Sequence, residues 1–546
     1  MTSSLPTWTR ADSVSRLDGD FDVLVVGGGI TGSGAALDLA GRGLSVALVE
    51  QADFAQGTSS RSTKLFHGGI RYLPQFHFNL VSEGLREQKV LARIADFLYE
   101  PLEFVLPLYE QYAFADAPAW AAKGWKAPLA LRAGLTLYDV LGGVGRPGDH
   151  HRRIDADELR RLMPSVRPEG LKGGFVYSDA QTDDARLVVT VLKTAVRRYG
   201  AVAAGRMRVD TIEPLSTGFR AGVTDLESGE QVTVKARAVL AATGAFTPPG
   251  LTTGAPTIKL VMSKGTHLLV GADRLGLDGR ALVLPETDDG RVLFIVPWLG
   301  HSMIGTTDTE YTDDPTHPVA RDEDVDYLIR HVERYLEVDD LEPISAFAGL
   351  RALADTGAGS TAKASREHMI SEPIPGYVQV AGGKLTTYRR IAAEASDRVT
   401  KALGSDARSR TAETPLVGAG GDPGPLRVRL KSVGVPESAI NPTISRFGTE
   451  VEGIARFVEA DPFLATALGD GRSTLADVVY AVRHEAATNL TDVTLRRTHL
   501  AWFTTDHARR DAPRLAAVMA SELGWDAARV ERELAEHEQE LVAEGL

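Results

Sequence analysis

The chain has 546 residues, 43 % of them hydrophobic, and its 60 Lys plus Arg against 73 Asp plus Glu give a formal charge of −13. That length predicts two or three domains around a sizeable core, and the acidic balance argues against nucleic acid as a partner. With no cysteine, disulfides, thiolate metal sites, thiol nucleophiles and cysteinyl cofactor links are excluded.

Residues 1–20, MTSSLPTWTRADSVSRLDGD, lack the apolar core of a signal peptide and read as a disordered leader. No apolar run is long enough to cross a bilayer, so the expected location is cytoplasmic, at most peripheral to the inner face of the cell membrane. Residues 22–50, DVLVVGGGITGSGAALDLAGRGLSVALVE, form one βαβ unit. A buried parallel strand leads into Gly27, Gly29 and Gly32, spaced G-x-G-x-x-G, and a helix follows. The first glycine permits a tight turn, the second lets the backbone approach a pyrophosphate, and the third packs helix on strand. The helix N-terminus offers N–H groups to phosphates, and Glu50 ends the second strand where an acid accepts from ribose hydroxyls. The whole unit in register carries far more weight than a glycine triplet in a chain with 54 glycines.

Residues 56–73 make a long hydroxyl-rich loop, placed near the dinucleotide because it directly follows the ribose acid. An amphipathic helix is expected over 78–94. Residues 115–142 set Trp120, Trp125 and Tyr138 beside Lys123, Lys126 and Arg132. That pattern suits a membrane interface, but a packed helical cap is preferred. A strand at 171–177, a helix at 183–198 and a β-meander at 202–234 come next. A second apolar strand then runs into Ala242-Thr243-Gly244. Residues 255–345 read as a largely antiparallel substrate-side sheet, and 346–351 as a return to the core. The strand 377–381 ends in Gly382-Gly383 before a helix opening at Lys384. A Gly/Pro-rich linker over 401–442 precedes a helical domain, 443–546.

The loop SSRSTKLFHGGIRYL at 59–73 resembles the signature of FAD-dependent glycerol-3-phosphate dehydrogenases, within the D-amino-acid-oxidase-like flavoprotein class. SKGTHL at 263–268, GLRAL at 349–353, SREH at 365–368 and GGKLTTYR at 382–389 are similar to that family's motifs and lie in its order. The resemblance covers about residues 20–400 and continues more weakly beyond. It implies an α/β plus α+β protein. A Rossmann-like FAD-binding domain (about 20–75, 165–260 and 346–400) would interleave with an antiparallel-sheet cap and substrate domain (about 76–164 and 261–345), followed by the linker and the C-terminal helical domain.

The same resemblance implies oxidation of sn-glycerol 3-phosphate to dihydroxyacetone phosphate, with hydride passing from C2 to flavin N5 and electrons passing on to a membrane quinone. The nearest alternatives are an oxidase using oxygen and an amine or amino-acid oxidase of the same fold. FAD contacts are expected from Gly27, Gly29, Ile30, Thr31, Gly32 and Glu50; from Thr58, Ser59, Ser62, Lys64, Leu65, His67 and Gly68; and from Val209, Thr243, Gly244, Gly383, Lys384, Leu385 and Thr386. Arg71, Arg351, Arg366 and Lys384 are implied to converge on the substrate phosphate, which an Arg fork grips bidentately, with Tyr72 and His267 near the carbinol. His267 is the expected base, since an imidazole suits proton removal at neutral pH and a cationic pocket favours its neutral form. Arg71 and Arg351 share the catalytic assignment with it. His67 and His368 are weaker candidates, and His301 reads as structural. No metal site is expected. Asp308 and Glu310 read as a polar strand end. A homo-oligomer, a dimer, is the expected assembly.

Overall fold

The computed structural model describes residues 6–70, 78–112, 126–143, 150–246, 258–355 and 368–546. Among them two sheets share the chain. The first has eight strands, with Tyr377–Ala381, Gln231–Ala241, Asp20–Val26, Val46–Val49 and Val202–Ala204 mutually parallel in that order. Val46–Val49 is buried at every position, and so is the end of Asp20–Val26, because helices cover the sheet. Helices Ile30–Gly41, Asp184–Tyr199 and Tyr388–Ala402 pack together over it in one apolar core. The chain leaves Asp20–Val26 for Val46–Val49 on one side, while Gln231–Ala241 flanks it on the other. Strand order therefore reverses there, which is where an α/β sheet binds ligands.

The second sheet has ten strands, antiparallel throughout except where Ala281–Leu284 lies parallel to Glu100–Tyr109. Leu260–Gly271 and Ser345–Ala354 form its longest ladder in contact with the site, pairing Ser263 with Arg351, Gly265 with Gly349 and His267 with Phe347. Two motifs about ninety residues apart in the chain thus lie side by side.

Four boundaries differ from the sequence-based expectation. Residues 6–20 are no disordered leader. Arg10–Ser15 is helical, Trp8 is buried against Phe54, and Arg10 pairs with Asp225. An indole and a guanidinium with partners on the first sheet outweigh the polar composition of the segment. Strand Leu171–Gln181 belongs to the second sheet rather than to the cofactor domain, and so does Ser345–Ala354; period-2 patterning tells a strand from a helix but not which sheet it joins. The expected linker over 401–442 carries the buried Leu416 and the helices Pro423–Ser432 and Glu437–Phe447. There Pro423 occupies a helix N-terminus, where its missing N–H costs nothing.

The helix expected over 78–94 is present as Phe78–Ile94. Helix Lys126–Gly142 buries Leu135 and Tyr138 in the manner of a packed cap. Trp120, Lys123 and Trp125 lie outside the described residues. Among the described residues no helix is long and apolar enough to cross a membrane.

Candidate active site

A cavity of about 910 Å³ opens at the carboxyl ends of the parallel strands, lined by Val26, Val49, Ala242 and Ala381. That volume is near the upper end for small-molecule sites. Its first part is the dinucleotide cradle. Gly27 has φ +108°, and a Cβ there would lie 2.5 Å from the Ala242 carbonyl oxygen. Gly32 faces the Gly27 carbonyl at 2.0 Å from where its Cβ would stand, so it packs helix on strand and does not line the cavity. Gly29, Ile30 and Thr31 do line it. They open helix Ile30–Gly41, whose first-turn N–H groups and dipole favour an anion. A Cβ on Gly29 would meet only the Ser59 hydroxyl, at 3.1 Å. Gly29→Val is therefore expected to fold, to fill the space left for the pyrophosphate and to purify as colourless apoprotein. A fully flavinated variant would overturn the placement.

Glu50 stands in the wall and accepts from the N–H groups of Gly28 (2.6 Å) and Ala52 (2.9 Å). Burial raises its carboxyl pKa against those hydrogen bonds, and the nearby charge of Asp53 adds to the rise. Thr58, Ser59, Ser62, Leu65 and His67 also line the cavity. Thr58 donates to the Leu350 carbonyl (2.5 Å), and Ser59 accepts from the Ile30 N–H (3.0 Å). Val209, Thr243, Gly244, Gly383, Lys384, Leu385 and Thr386 complete the wall. Thr386 accepts from the His67 N–H (3.1 Å) at the start of the last helix over the sheet. Open space flanked by backbone donors, with one acid at the ribose position, fits FAD.

Besides Gly32, two further expected cofactor contacts stand elsewhere. The Lys64 side chain turns away from the cavity, pairs with Asp184 at 2.7 Å and lies over the rings of Trp298 and Phe347. A buried ammonium needs a carboxylate, and Asp184 supplies it. Gly68 sits behind the wall, where its N–H donates to Asp179 (3.2 Å) and to the Tyr138 hydroxyl (2.9 Å).

The second part of the cavity is chemical. His267 lies on strand Leu260–Gly271, 2 % exposed, stacked on Phe347 with ring centroids 5.0 Å apart. Its Nε2 meets the Thr63 hydroxyl at 3.1 Å, and its Nδ1 is a buried atom with no hydrogen-bond partner in the protein. Burial, then the charges of Arg351 and Lys64, push its pKa well below the ordinary value, so the ring is neutral and can accept a proton. Arg351 reaches the Thr306 hydroxyl (3.1 Å), the Thr307 carbonyl (3.2 Å) and the Ser263 hydroxyl (3.3 Å). It lines the same cavity as His267 and Lys384. Arg71, Tyr72 and Arg366 lie outside the described residues.

Three participants were not anticipated. Asp308, read as a strand end, lines the cavity 3.9 Å from Arg351 and accepts from Ser263, whereas Glu310 is exposed. Thr63 orients His267. Asp179 faces the cavity while one of its oxygens accepts from Tyr138 (2.6 Å), Gln88 (2.7 Å) and Gly68; burial lifts its carboxyl to about 6. The loop motif around Thr63 was the only sequence signal for any of them. His368 instead pairs with Glu394 (2.8 Å), and His301 stacks on Phe503, as a structural residue would.

Comparison with known proteins identifies the family. The family model described as FAD dependent oxidoreductase matches residues 22–389, and the C-terminal domain of alpha-glycerophosphate oxidase matches 409–530. Glycerol-3-phosphate dehydrogenase 2 of Mycobacterium tuberculosis is 36 % identical over 98 % of this chain and 91 % of its own length. The aerobic glycerol-3-phosphate dehydrogenase of Staphylococcus saprophyticus is 33 % identical over 96 % and 94 %. The structure of the glycerol-3-phosphate dehydrogenase from Bacillus halodurans complexed with FAD superposes with a TM-score of 0.78 at 26 % identity, covering 98 % of this chain and 97 % of that one. On the family model spanning most of the chain and the near full-length likeness to these dehydrogenases, this chain belongs to the FAD-dependent glycerol-3-phosphate dehydrogenase family and is a flavoprotein oxidoreductase.

Proposed function

We propose that this enzyme oxidises sn-glycerol 3-phosphate to dihydroxyacetone phosphate. The observation that carries the reading is one cavity holding a buried imidazole, an Arg fork and a Lys beside the FAD cradle. Bound FAD supplies the hydride acceptor. Arg351 grips the phosphate with two parallel N–H groups, which a Lys cannot reproduce, and Lys384 adds a point charge. Arg71, Tyr72 and Arg366 are assigned to the same task on their motifs alone. His267, aligned by Thr63 and Phe347, takes the C2 hydroxyl proton. Because its pKa lies below the ordinary histidine value, it stays in the accepting form across neutral pH.

His267→Asn is expected to lower kcat by about 10²–10⁴-fold, the range for loss of a positioned base, with FAD content unchanged. Wild-type kcat would confine His267 to hydrogen bonding. The proposed electron acceptor is a membrane quinone, reached by peripheral contact with the inner face of the cell membrane. Exposed Leu129 and Val140 on helix Lys126–Gly142 support such contact. The deciding experiment is anaerobic bleaching of the bound flavin by glycerol 3-phosphate, with glycerol and an amino acid as controls. Bleaching by the phosphate alone establishes substrate and clamp together. Bleaching by the amino acid alone would replace this reading with an amino-acid oxidase. Reoxidation by quinone but not by air would then settle the acceptor.

A further inference from the structure

The helix Ala527–Ala543 ends at Glu544, which is 2 % exposed and reaches into the cofactor half of the molecule. Its Oε1 stands 2.5 Å from Nη2 of Arg61, in the loop that carries Thr58, Ser59 and Ser62. Arg61 is itself buried, 7 % exposed. Its remaining N–H groups donate to the carbonyls of Ala348 (3.1 Å), Gln56 (3.3 Å) and Pro318 (3.4 Å). The guanidinium therefore ties three separate segments together, and its charge is balanced by one carboxylate. Burial opposes charge on Glu544, yet Arg61 and His317 hold its carboxyl down to about 2. The contact continues toward the cofactor. A Cβ on Gly349 would lie 2.7 Å from that of Arg61, so the loop lies directly on strand Ser345–Ala354. Thr58 bonds the same strand at Leu350, and Ser59 caps the Ile30 N–H at the pyrophosphate end of the cradle.

We propose that Glu544 is a positioning residue for the FAD site: through Arg61 it fixes the loop 57–62, and with it the Ser59 cap, in the cofactor-binding conformation. This rests on FAD as the cofactor and not on the identity of the substrate. His317, Glu540 and Glu544 also bring ligand atoms within 4.8 Å of one another. Arg61 already occupies the Glu544 carboxylate, however, and a cation would have to compete with it, so the lock is the Arg61–Glu544 ion pair.

The test is the FAD release rate of full-length holoenzyme in Glu544→Ala, Glu544→Gln and a same-helix control, Glu538→Gln. Glu538 pairs with Arg509 on the surface. Release is expected to be at least about tenfold faster in the Ala variant, intermediate in Gln, which still accepts from the guanidinium, and wild-type in the control. FAD retention in the Ala variant, or equal loss in the control, would overturn the proposal. Should the Ala variant fail to fold, hydrogen exchange on the wild type decides. Coupling is reciprocal, so removing FAD is expected to raise exchange in 56–63 and 540–546 together, and an indifferent 540–546 segment refutes the lock. FAD release on adding a chelator to wild type would also refute it, in favour of a bound cation.

Discussion

Asp53→Ala is expected to cost about 3–5 kcal/mol of stability, the range for removing one partner of a buried ion pair. Asp53 is 2 % exposed and accepts from Nη1 and Nη2 of Arg497, at 2.8 and 2.9 Å, and from Arg496. Both arginines belong to the C-terminal helical part, and each is nearly sealed from solvent. Without the carboxylate, two cations are left in a low dielectric with poorer partners. Arg496 keeps Asp492 at 3.1 Å, while Arg497 keeps the Glu485 carbonyl and a carboxylate 3.9 Å away.

The loss should also weaken FAD binding. Asp53 anchors the turn after Glu50, and within that turn Ala55 donates to the Gly28 carbonyl at 3.1 Å. The pH dependence has a definite sign. Burial alone would raise the Asp53 carboxyl, but Arg497 and Arg496 outweigh it and hold the pKa well below the usual carboxylate range. A depressed carboxylate stabilises fully above its unfolded pKa and loses that contribution as pH falls through the folded value. The gap in apparent melting temperature between wild type and Asp53→Ala should thus be constant from pH 8 to about 5 and close only below the unfolded value of about 3.9. Thermal melts across that range check it, and a gap that vanishes by pH 6 would contradict the pairing.

Arg351→Ala is expected to lower kcat/KM for glycerol 3-phosphate by about 10- to 150-fold, corresponding to loss of a charge-assisted contact of about 1.5–3 kcal/mol. FAD content should not change, because among the described residues Arg351 bonds to Ser263, Thr306 and Thr307, outside the dinucleotide cradle. Arg351→Lys should recover little, since a point charge cannot present two parallel donors. A second readout follows from electrostatics. Arg351 is one of the charges that depress the His267 pKa, so its removal should move the acid limb of the activity profile to higher pH. Steady-state kinetics between pH 5 and 9 measures both effects. Unchanged kcat/KM would take Arg351 out of the site.

The dinucleotide half was legible because its signals are local. Strand, glycine spacing, helix and terminal acid from Asp22 to Glu50 fall within one supersecondary unit, and each residue's job follows from backbone sterics over a few positions. The amphipathic helix Phe78–Ile94 was legible for the same reason, since its period is contained in its own length. The five motifs carried the family. Their meeting point they could not carry: Ser263 faces Arg351 only because an antiparallel register places them so.

Composition misleads where a partner lies far along the chain. The polar segment 6–20 and the Gly/Pro-rich stretch before 442 looked unstructured, yet the first is held through Trp8 and Arg10 and the second through Leu416. Lys64 illustrates the opposite error. Its motif drew it to the cofactor, but Asp184, 120 positions on, supplies the carboxylate that a buried ammonium requires.

By itself the sequence determined the cradle, the family and the chemical types in the cavity, because short-range geometry dictates each. Tertiary structure alone decided which oxygen meets Arg61, why Asp308 and Asp179 face the cavity, and that the C-terminal helices brace the cofactor loop. Burial and desolvation, which set the worth of a charge, are properties of the folded neighbourhood and leave no mark on spacing.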